Sequence, residues 1–547
     1  MNNFQDKVVY QIYIKSFKDS NGDGIGDLKG VTEKLDYLKE LGVDYIWITP
    51  FYASPLNDNG YDIMDYYQVD PLFGTMEDLE NLIAQGKKRG ISLMTDLVFN
   101  HTSTKHEWFQ KALAGDEEYQ KYYIFKEGEF GEPPTNWVSK FGGSTWEYVP
   151  HLKKWYLHLF DKTQADLNWE NPKVREELKE VVKFWRGKGV EGFRFDVINL
   201  ISKPENFQND TIGDGRRFYT DGPKIHEYLK ELVKDTGIRE LMTVGEMSST
   251  SIEDCIRYSN PKEEELTMCF SFHHLKVDYK NQDKWEIMEP DLIELQKIFR
   301  NWQLGMQKGG GWNALFWCNH DQPRSVSRFG DDKAYWLESS KMLATFLHLL
   351  RGTPYIYQGE EIGMTNGYFI SIEEYKDVES INYYQIMIEE GKTKEEALKI
   401  LRERSRDNGR TPMQWNQEKF YGFSQVKPWI PFGKYEYPIT AEEQVGKEGS
   451  IFSYYQELIR LRKERSAISR GEITFFDETP GIIGYKRRNN QEEILVFCNF
   501  TNQDLSLKTQ WKKDDFFVLL QNYVKLEENG KRNSLRPYET LVLLAES

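Results

Sequence analysis

One unit repeats along this chain: a short apolar run, then an amphipathic helical stretch that leads into the next run. That alternation predicts parallel strands joined by helices. Val8-Val9-Tyr10-Gln11-Ile12-Tyr13 reads as the first strand. Tyr45 to Pro50 reads as the second, after a helical stretch from Val31 to Leu41 that stops at Gly42. Ser92 to Phe99 is the third, after a helix from Met76 to Arg89. A helix from Pro172 to Lys188 leads into Gly192 to Asp196. Leu241 to Glu246, Leu266 to Phe270 (the weakest pattern), Asn313 to Cys318 and Pro354 to Gln358 bring the set to eight. Eight such units fit a closed (β/α)8 TIM barrel of the α/β class better than an open sheet.

The rhythm breaks twice. Between residues 104 and 172 the chain is rich in Gly, Pro and aromatics and reads as a loop-rich domain inserted after strand 3. After a helix from Ile451 to Arg465 the pattern changes to short alternating strands, Gly481 to Arg487 and Glu493 to Phe500. These predict a C-terminal antiparallel β-sandwich domain. A length of 547 residues suits this division: barrel over 1–103 and 173–470, insertion over 104–172, C-terminal domain over 471–547. The Lys/Glu-rich stretch from Glu389 to Arg404 reads as a solvated helix face.

A formal net charge of −16 argues against a nucleic-acid partner, whose binding needs clustered Lys and Arg. It leaves room for a small anion held by a few local cations. Cys255, Cys269, Cys318 and Cys498 have no metal-type spacing and read as buried thiols in a reducing compartment. Met1 to Tyr10 holds no apolar signal core, and no run is long enough to span a membrane, so a cytoplasmic protein with no membrane partner is expected.

In a (β/α)8 barrel the chemistry sits at the C-terminal ends of the strands. The polar residues predicted there are Asp96, Asn100 and His101; Arg194 and Asp196; Glu246; His320 and Asp321. Singly, an acid at a strand end is more simply a helix cap. Jointly, converging buried carboxylates are costly and need a purpose. Glycoside hydrolysis supplies one: two carboxyl groups flank the scissile bond, about 5–5.5 Å apart in retaining enzymes. A third can stabilise the oxocarbenium-like transition state.

The segments D-L-V-F-N-H (Asp96 to His101), G-F-R-F-D (Gly192 to Asp196), V-G-E (Val244 to Glu246) and N-H-D (Asn319 to Asp321) resemble, in order and in strand context, the four signature regions of the α-amylase family. The resemblance implies Asp196 as nucleophile, Glu246 as general acid and then base, and Asp321 as stabiliser of the distorted sugar. It implies that Arg194 keeps Asp196 ionised and oriented, that His101 and His320 hydrogen-bond sugar hydroxyls, and that Asp96 supports rather than catalyses. N-G-Y-D (Asn59 to Asp62) and S-R-D-N-G-R-T-P-M-Q-W (Ser405 to Trp415) resemble the family's α-glucosidases, where Asp62 and Arg410 would grip the non-reducing glucose and close the pocket for exo-cleavage.

Asp19-Ser20-Asn21-Gly22-Asp23-Gly24-Ile25-Gly26-Asp27 alternates oxygen donors with turn glycines, as at the start of an EF-hand loop, and suits a hard cation. The family places a calcium site in its first βα loop. The implied structural Ca2+ ligands are the side chains of Asp19, Asn21, Asp23 and Asp27 and the Ile25 carbonyl. A turn that needs no ion is the alternative.

The substrate follows from branch-like features. Gln164-Ala165-Asp166-Leu167-Asn168 has Ala where the family often has Pro, and Val197-Ile198-Asn199 follows the nucleophile. Both look like the oligo-1,6-glucosidase branch and equally like the trehalose-6-phosphate hydrolase branch. Gly213 to Pro223, Met242 to Ser251 and Phe270 to Tyr279 lean toward the latter. A phosphorylated sugar carries about two negative charges near neutral pH and calls for charge-assisted donors. Arg216, Arg217 and Lys276, in the loops after the fourth and sixth strands, are the candidates. The alternative for the two arginines is pairing with Asp210, Asp214 or Asp221 to hold the loop. The remaining reading, a non-catalytic amylase-like binding module, would be expected to lose carboxylates that this chain keeps.

Overall fold

The eight apolar runs form eight parallel strands, Val9–Ile12, Tyr45–Ile48, Ser92–Val98, Gly192–Asp196, Met242–Met247, Met268–Ser271, Ala314–Leu315 and Thr353–Tyr357. The computed structural model describes residues 4–367, 369–432, 439–509, 516–523 and 533–546. Parts of the expected C-terminal domain (510–515, 524–532 and 547) and the first three residues of the N-terminal stretch lie outside the described residues. Strands one to six pair in chain order, and the eighth pairs with both the first and the seventh. A parallel bridge from Cys269 to Asn313 joins the sixth strand to the residue before the seventh and closes the barrel. Strands covered on both faces are mostly apolar; the first, fourth and eighth are buried at every residue, including Gln11, Arg194 and Asp196.

The helices follow their local signals. Pro172–Gly187 begins with Pro in its first turn, is capped by Asn171, and buries Val174, Leu178, Val181, Val182 and Trp185 along one stripe. Met76–Lys88 opens on a Thr75/Asp78 capping box. The stretch expected as one helix from Val31 to Leu41 is two, Leu28–Glu33 and Leu35–Leu41, because Lys34 leaves helical geometry at φ −100°, ψ 7°. The second ends, as expected, at Gly42, whose φ of 97° suits glycine. The Lys/Glu-rich stretch spans the end of Val378–Glu389 and all of Lys394–Arg404. It is not solvated throughout: Leu401 and Arg404 are buried, and Arg404 pairs with the buried Asp278.

The chain between the third and fourth strands holds a three-stranded antiparallel sheet, Phe125–Glu127, Lys154–Leu157 and Trp146–Val149. Its own core gathers Trp137, Trp146 and Trp155 with Tyr219 of the loop after the fourth strand. Gln164–Asp166 then pairs antiparallel with His101–Ser103, which delivers Gln164 and Asp166 to the end of the third barrel strand.

The C-terminal region is a five-stranded antiparallel sheet in the order Glu472–Phe475, Ile482–Arg488, Glu492–Asn499, Thr540–Glu546, Phe517–Gln521. Ile483, Tyr485, Val496 and Val542 join the main core, and the Tyr485 hydroxyl donates to the Phe346 carbonyl at 2.7 Å. Phe497, Leu541 and Leu543 pack instead under a two-stranded ribbon, Leu505–Ser506 with Ser534–Leu535. The second layer of the sandwich is thus a ribbon. All four cysteines are buried and unpaired. Among the described residues no helix is long and apolar enough to cross a membrane.

Gly245, one residue before Glu246, has no room for a side chain. A Cβ there would lie 2.4 Å from Met247, 2.6 Å from Leu266 and 3.1 Å from Ile198. Gly245→Ala should therefore cost about 1–3 kcal/mol by overpacking, read as a lower urea midpoint. An unchanged midpoint would show that these side chains yield.

Candidate active site

Three barrel strands end in charged residues that meet on one cation. Arg194, buried in the fourth strand, donates through Nη1 to Asp96 Oδ1 and to Asp196 Oδ1, both at 2.7 Å, and through Nη2 to Glu246. Parallel register puts Arg194 opposite both Asp96 and Val244, so the meeting follows from strand pairing. The guanidinium also lies 5.0 Å from the Trp47 ring centroid and 5.7 Å from that of Tyr61. Burial opposes its charge, but Asp96, Glu246 and Asp196 outweigh that and hold the guanidinium protonated.

The carboxylates differ in access. Asp96 is sealed, its side chain 0% exposed, while Asp196, Glu246 and Asp321 keep 10%, 13% and 28% of theirs open. Asp96 accepts from Trp47 Nε1 at 3.1 Å and from the Tyr61 hydroxyl at 2.8 Å, which makes it a support for Arg194. One cation facing three acids leaves excess negative charge. Burial, and then the Glu246 and Asp96 charges, push the Asp196 carboxyl well above its usual range against the pull of Arg194. The pull of Arg194 on Asp196 is therefore set against burial and two like charges, a balance that the residue spacing does not show. Asp196 and Glu246 lie close enough to share a hydrogen bond when one is protonated. Two carboxyls so placed can serve as one acid and one nucleophile.

Asp321 ends the seventh strand's loop in a different balance. Burial would raise its carboxyl, but His320, Arg406 and Arg410 outweigh that and hold it well below the usual range. Arg410 Nη2 lies 2.9 Å and Arg406 Nη1 3.1 Å from Asp321 Oδ1. Behind both arginines sits buried Asp377, at 2.5 Å from Arg406 and 3.3 Å from Arg410. His320 places Nε2 3.1 Å from Asp321 and Nδ1 2.8 Å from the Gln11 amide nitrogen, and its ring stacks on Tyr61 and Tyr13. Burial holds His320 below the usual imidazole range. His101 is pushed by burial to about 4, so it is neutral. Its Nε2 lies 3.0 Å from the Tyr61 carbonyl and 3.1 Å from Gln164, and its Nδ1 3.2 Å from Asn100. Buried Lys203 fixes that corner through Asn100 at 2.7 Å and Asp166 at 2.8 Å.

Asp62 is not where the motif suggested. Fully buried, it accepts from the Ser54 hydroxyl (3.0 Å) and from the backbone N–H groups of Asn57 (2.9 Å) and Asp58 (3.1 Å). It closes its own loop, which turns through left-handed residues at Leu56 (φ 62°) and Asn59 (φ 50°) and needs an internal acceptor. Asp58 takes the place instead, 3.2 Å from Arg406 and 3.1 Å from Gln164. Sequence reasoning missed Asp58, Arg406 and Asp377. Arg406 had a signal, since it sits four residues before Arg410 across one helical turn, Asp407–Arg410.

Of the phosphate candidates, Arg216 forks onto Asp214 at 2.5 Å, and Lys276 feels the Arg216 charge. Arg217 turns away to Asp210 at 3.0 Å and lies over Phe218, so both arginines pair as the loop-holding alternative anticipates. The Asp19–Asp27 loop closes on itself. Asp19 accepts from the N–H groups of Asn21, Gly22 and Gly24, Asn21 from that of Asp23, and Asp23 from that of Ile25. Asp27 caps the helix Leu28–Glu33 through the Gly30 N–H at 2.7 Å. Among the described residues no three His, Cys, Asp or Glu side chains are gathered as a metal site.

Burial pushes the Asp58 carboxyl up to about 7, against Arg406 and Arg410. Unfolded, it would ionise near about 4. The folded state therefore binds the extra proton between those values, and this contribution to stability is lost as pH rises toward about 7. Asp58→Asn should shrink the difference in urea midpoint between about pH 5 and pH 7.5. An undiminished difference would show that Asp58 ionises normally.

Comparison with known proteins gives the family. The model of the alpha amylase catalytic domain matches residues 11–471. The chain is 51% identical to the trehalose-6-phosphate hydrolase of Bacillus subtilis (strain 168), over 98% of this chain and 97% of that protein. It is 45% identical to the oligo-1,6-glucosidase of Parageobacillus thermoglucosidasius, over 98% of each. The crystal structure of Bacillus licheniformis trehalose-6-phosphate hydrolase superimposes with a TM-score of 0.94 at 51% identity, covering 100% of both chains. This chain belongs to the α-amylase family of glycoside hydrolases.

Proposed function

We propose that the enzyme is a retaining, exo-acting α-glucosidase that hydrolyses α,α-trehalose 6-phosphate to glucose and glucose 6-phosphate. The observation that carries the chemistry is the meeting of Asp196 and Glu246 on Arg194 with both carboxyls open to the pocket. Asp196 attacks the anomeric carbon while protonated Glu246 gives its proton to the departing oxygen, releasing glucose 6-phosphate. Glu246, now ionised, takes a proton from water. The hydroxide attacks the glycosyl–Asp196 ester, and glucose leaves with its configuration retained. Asp321, held ionised by Arg406 and Arg410, stabilises positive charge at the ring in both steps. Asp58, Arg406 and Arg410 would close the far end of the pocket around one glucose, which favours exo-cleavage.

The substrate rests on the likeness to trehalose-6-phosphate hydrolases and on Lys276 lying within reach of the Arg216 charge. A phosphosugar dianion does not diffuse through a bilayer, which supports cytoplasmic placement. The oligo-1,6-glucosidase reading keeps every catalytic residue and differs only in the leaving-group subsite. Purified enzyme should show kcat/KM for trehalose 6-phosphate well above that for trehalose or isomaltose, and Asp196→Asn should abolish turnover while leaving the fold intact. A preference for isomaltose would transfer the enzyme to the oligo-1,6-glucosidase reading. Retained activity in Asp196→Asn would remove Asp196 as nucleophile.

The loop from Asp19 to Asp27 is proposed as a structural Ca2+ site, on the strength of four side-chain oxygen donors and the Ile25 carbonyl within nine residues. Calcium should raise the melting temperature and a chelator should lower it. A melting temperature indifferent to both would leave the loop as a self-closed turn.

A further inference from the structure

Lys140 lies on the inserted segment, between two residues whose contacts lead to His101 and to Arg406. The Ser139 hydroxyl donates to the Phe160 carbonyl at 2.7 Å, and the Phe160 ring lies 5.2 Å from that of His101. On the other side, the Arg406 guanidinium lies over the Phe141 ring at 4.9 Å. The Lys140 backbone is pinned by the Leu159 carbonyl at 2.9 Å. Its ammonium reaches toward the Tyr219 ring, 5.6 Å from the centroid, and among the described residues it has no carboxylate within ion-pair distance.

The charged groups facing Lys140 are Arg216 and Asp214, from the loop after the fourth strand, and Lys276, from the loop after the sixth. A hydrogen bond of 3.1 Å from the Val138 N–H to the Asp214 carbonyl ties the insertion to the first of these loops. Three cations from three segments therefore act on one another, and the one carboxylate among them, Asp214, is already held bidentately by Arg216. In a chain of net charge −16, crowding like charges is unfavourable unless an anion comes there.

We propose that Lys140 is a specificity-determining residue, a third donor that completes, with Arg216 and Lys276, a subsite for the phosphate of the leaving sugar. This rests on the phosphoglucosidase reading. Lysine meets phosphate as a compact point charge, while Arg216 can fork onto it as it does onto Asp214. Burial first, and then Arg216 and Lys276, push the Lys140 ammonium down to about 8, with Asp214 pulling the other way. As pH rises through that value the free enzyme loses one of the cations that a dianion needs. kcat/KM for the phosphorylated substrate should fall on that limb, because it reports free-enzyme ionisations.

The test is Lys140→Met and Lys140→Arg, with Arg216→Gln for comparison, assayed on trehalose 6-phosphate and on p-nitrophenyl α-glucoside across about pH 6–10. Lys140→Met should lower the ratio of the two kcat/KM values by about 10- to 100-fold, mostly through KM for the phosphorylated substrate. Lys140→Arg should keep most of the ratio and lose the alkaline limb near the Lys140 value. An unaltered ratio in Lys140→Met, beside a reduced one in Arg216→Gln, overturns the role of Lys140 alone. A wild-type ratio that does not favour the phosphorylated sugar overturns the parent reading.

Discussion

The site is built around one guanidinium. Arg194 touches Asp96, Asp196 and Glu246, which come from three adjacent barrel strands. Each acid would be costly to bury alone, and each is tolerable because the same cation serves it. The number of charges matters as much as the contact. One cation serves three acids, and burial with the Glu246 and Asp96 charges raises the Asp196 carboxyl against it. Double displacement needs one carboxyl able to give a proton and the other able to attack. Trp47 and Tyr61 both donate to Asp96, so its position beside Arg194 is fixed from two further elements.

A second charged layer has two cations for its three acids, against one for three in the first. Arg406 and Arg410 face Asp58, Asp321 and Asp377, and the result is a depressed Asp321 beside a raised Asp58. The difference is local. Asp321 has both arginines and His320 against it, while Asp58 is buried with one arginine in contact and with Asp321 and Asp62 as like-charged neighbours. An ionised carboxylate thus stands beside one that ionises near neutrality, and only the first suits a permanent electrostatic partner for a cationic sugar. The inserted segment is part of this arrangement, since Gln164 reaches both His101 and Asp58.

Catalysis and selectivity are divided between two kinds of structure. The reacting groups end rigid parallel strands or stand just beyond them, whose hydrogen bonding fixes their spacing. The cations assigned to the phosphate sit on loops and on the insertion, which can vary without disturbing the barrel. A change of leaving group therefore needs no change in the chemistry of the first layer.

Most of the fold and the acids of the first layer were legible in the residues. Eight apolar runs, their helices and the polar ends of the third, fourth and fifth strands follow from periodicity, and Gly192–Asp196 matches the structure residue for residue. Local chemistry decides these features, so a linear reading finds them. What remained hidden depends on contacts far apart in the chain. Asp62 looked like the sugar-gripping acid, yet its own loop needed an acceptor, and Asp58 was left to reach Arg406, 348 residues away. Arg216 and Arg217 are neighbours in sequence but point to different acids. Lys140 was indistinguishable from any surface lysine until the insertion folded it toward Arg216 and Lys276. The surroundings of Asp196 had the same origin. Sequence places an arginine two residues before it, but only the tertiary structure shows that this arginine is shared among three acids.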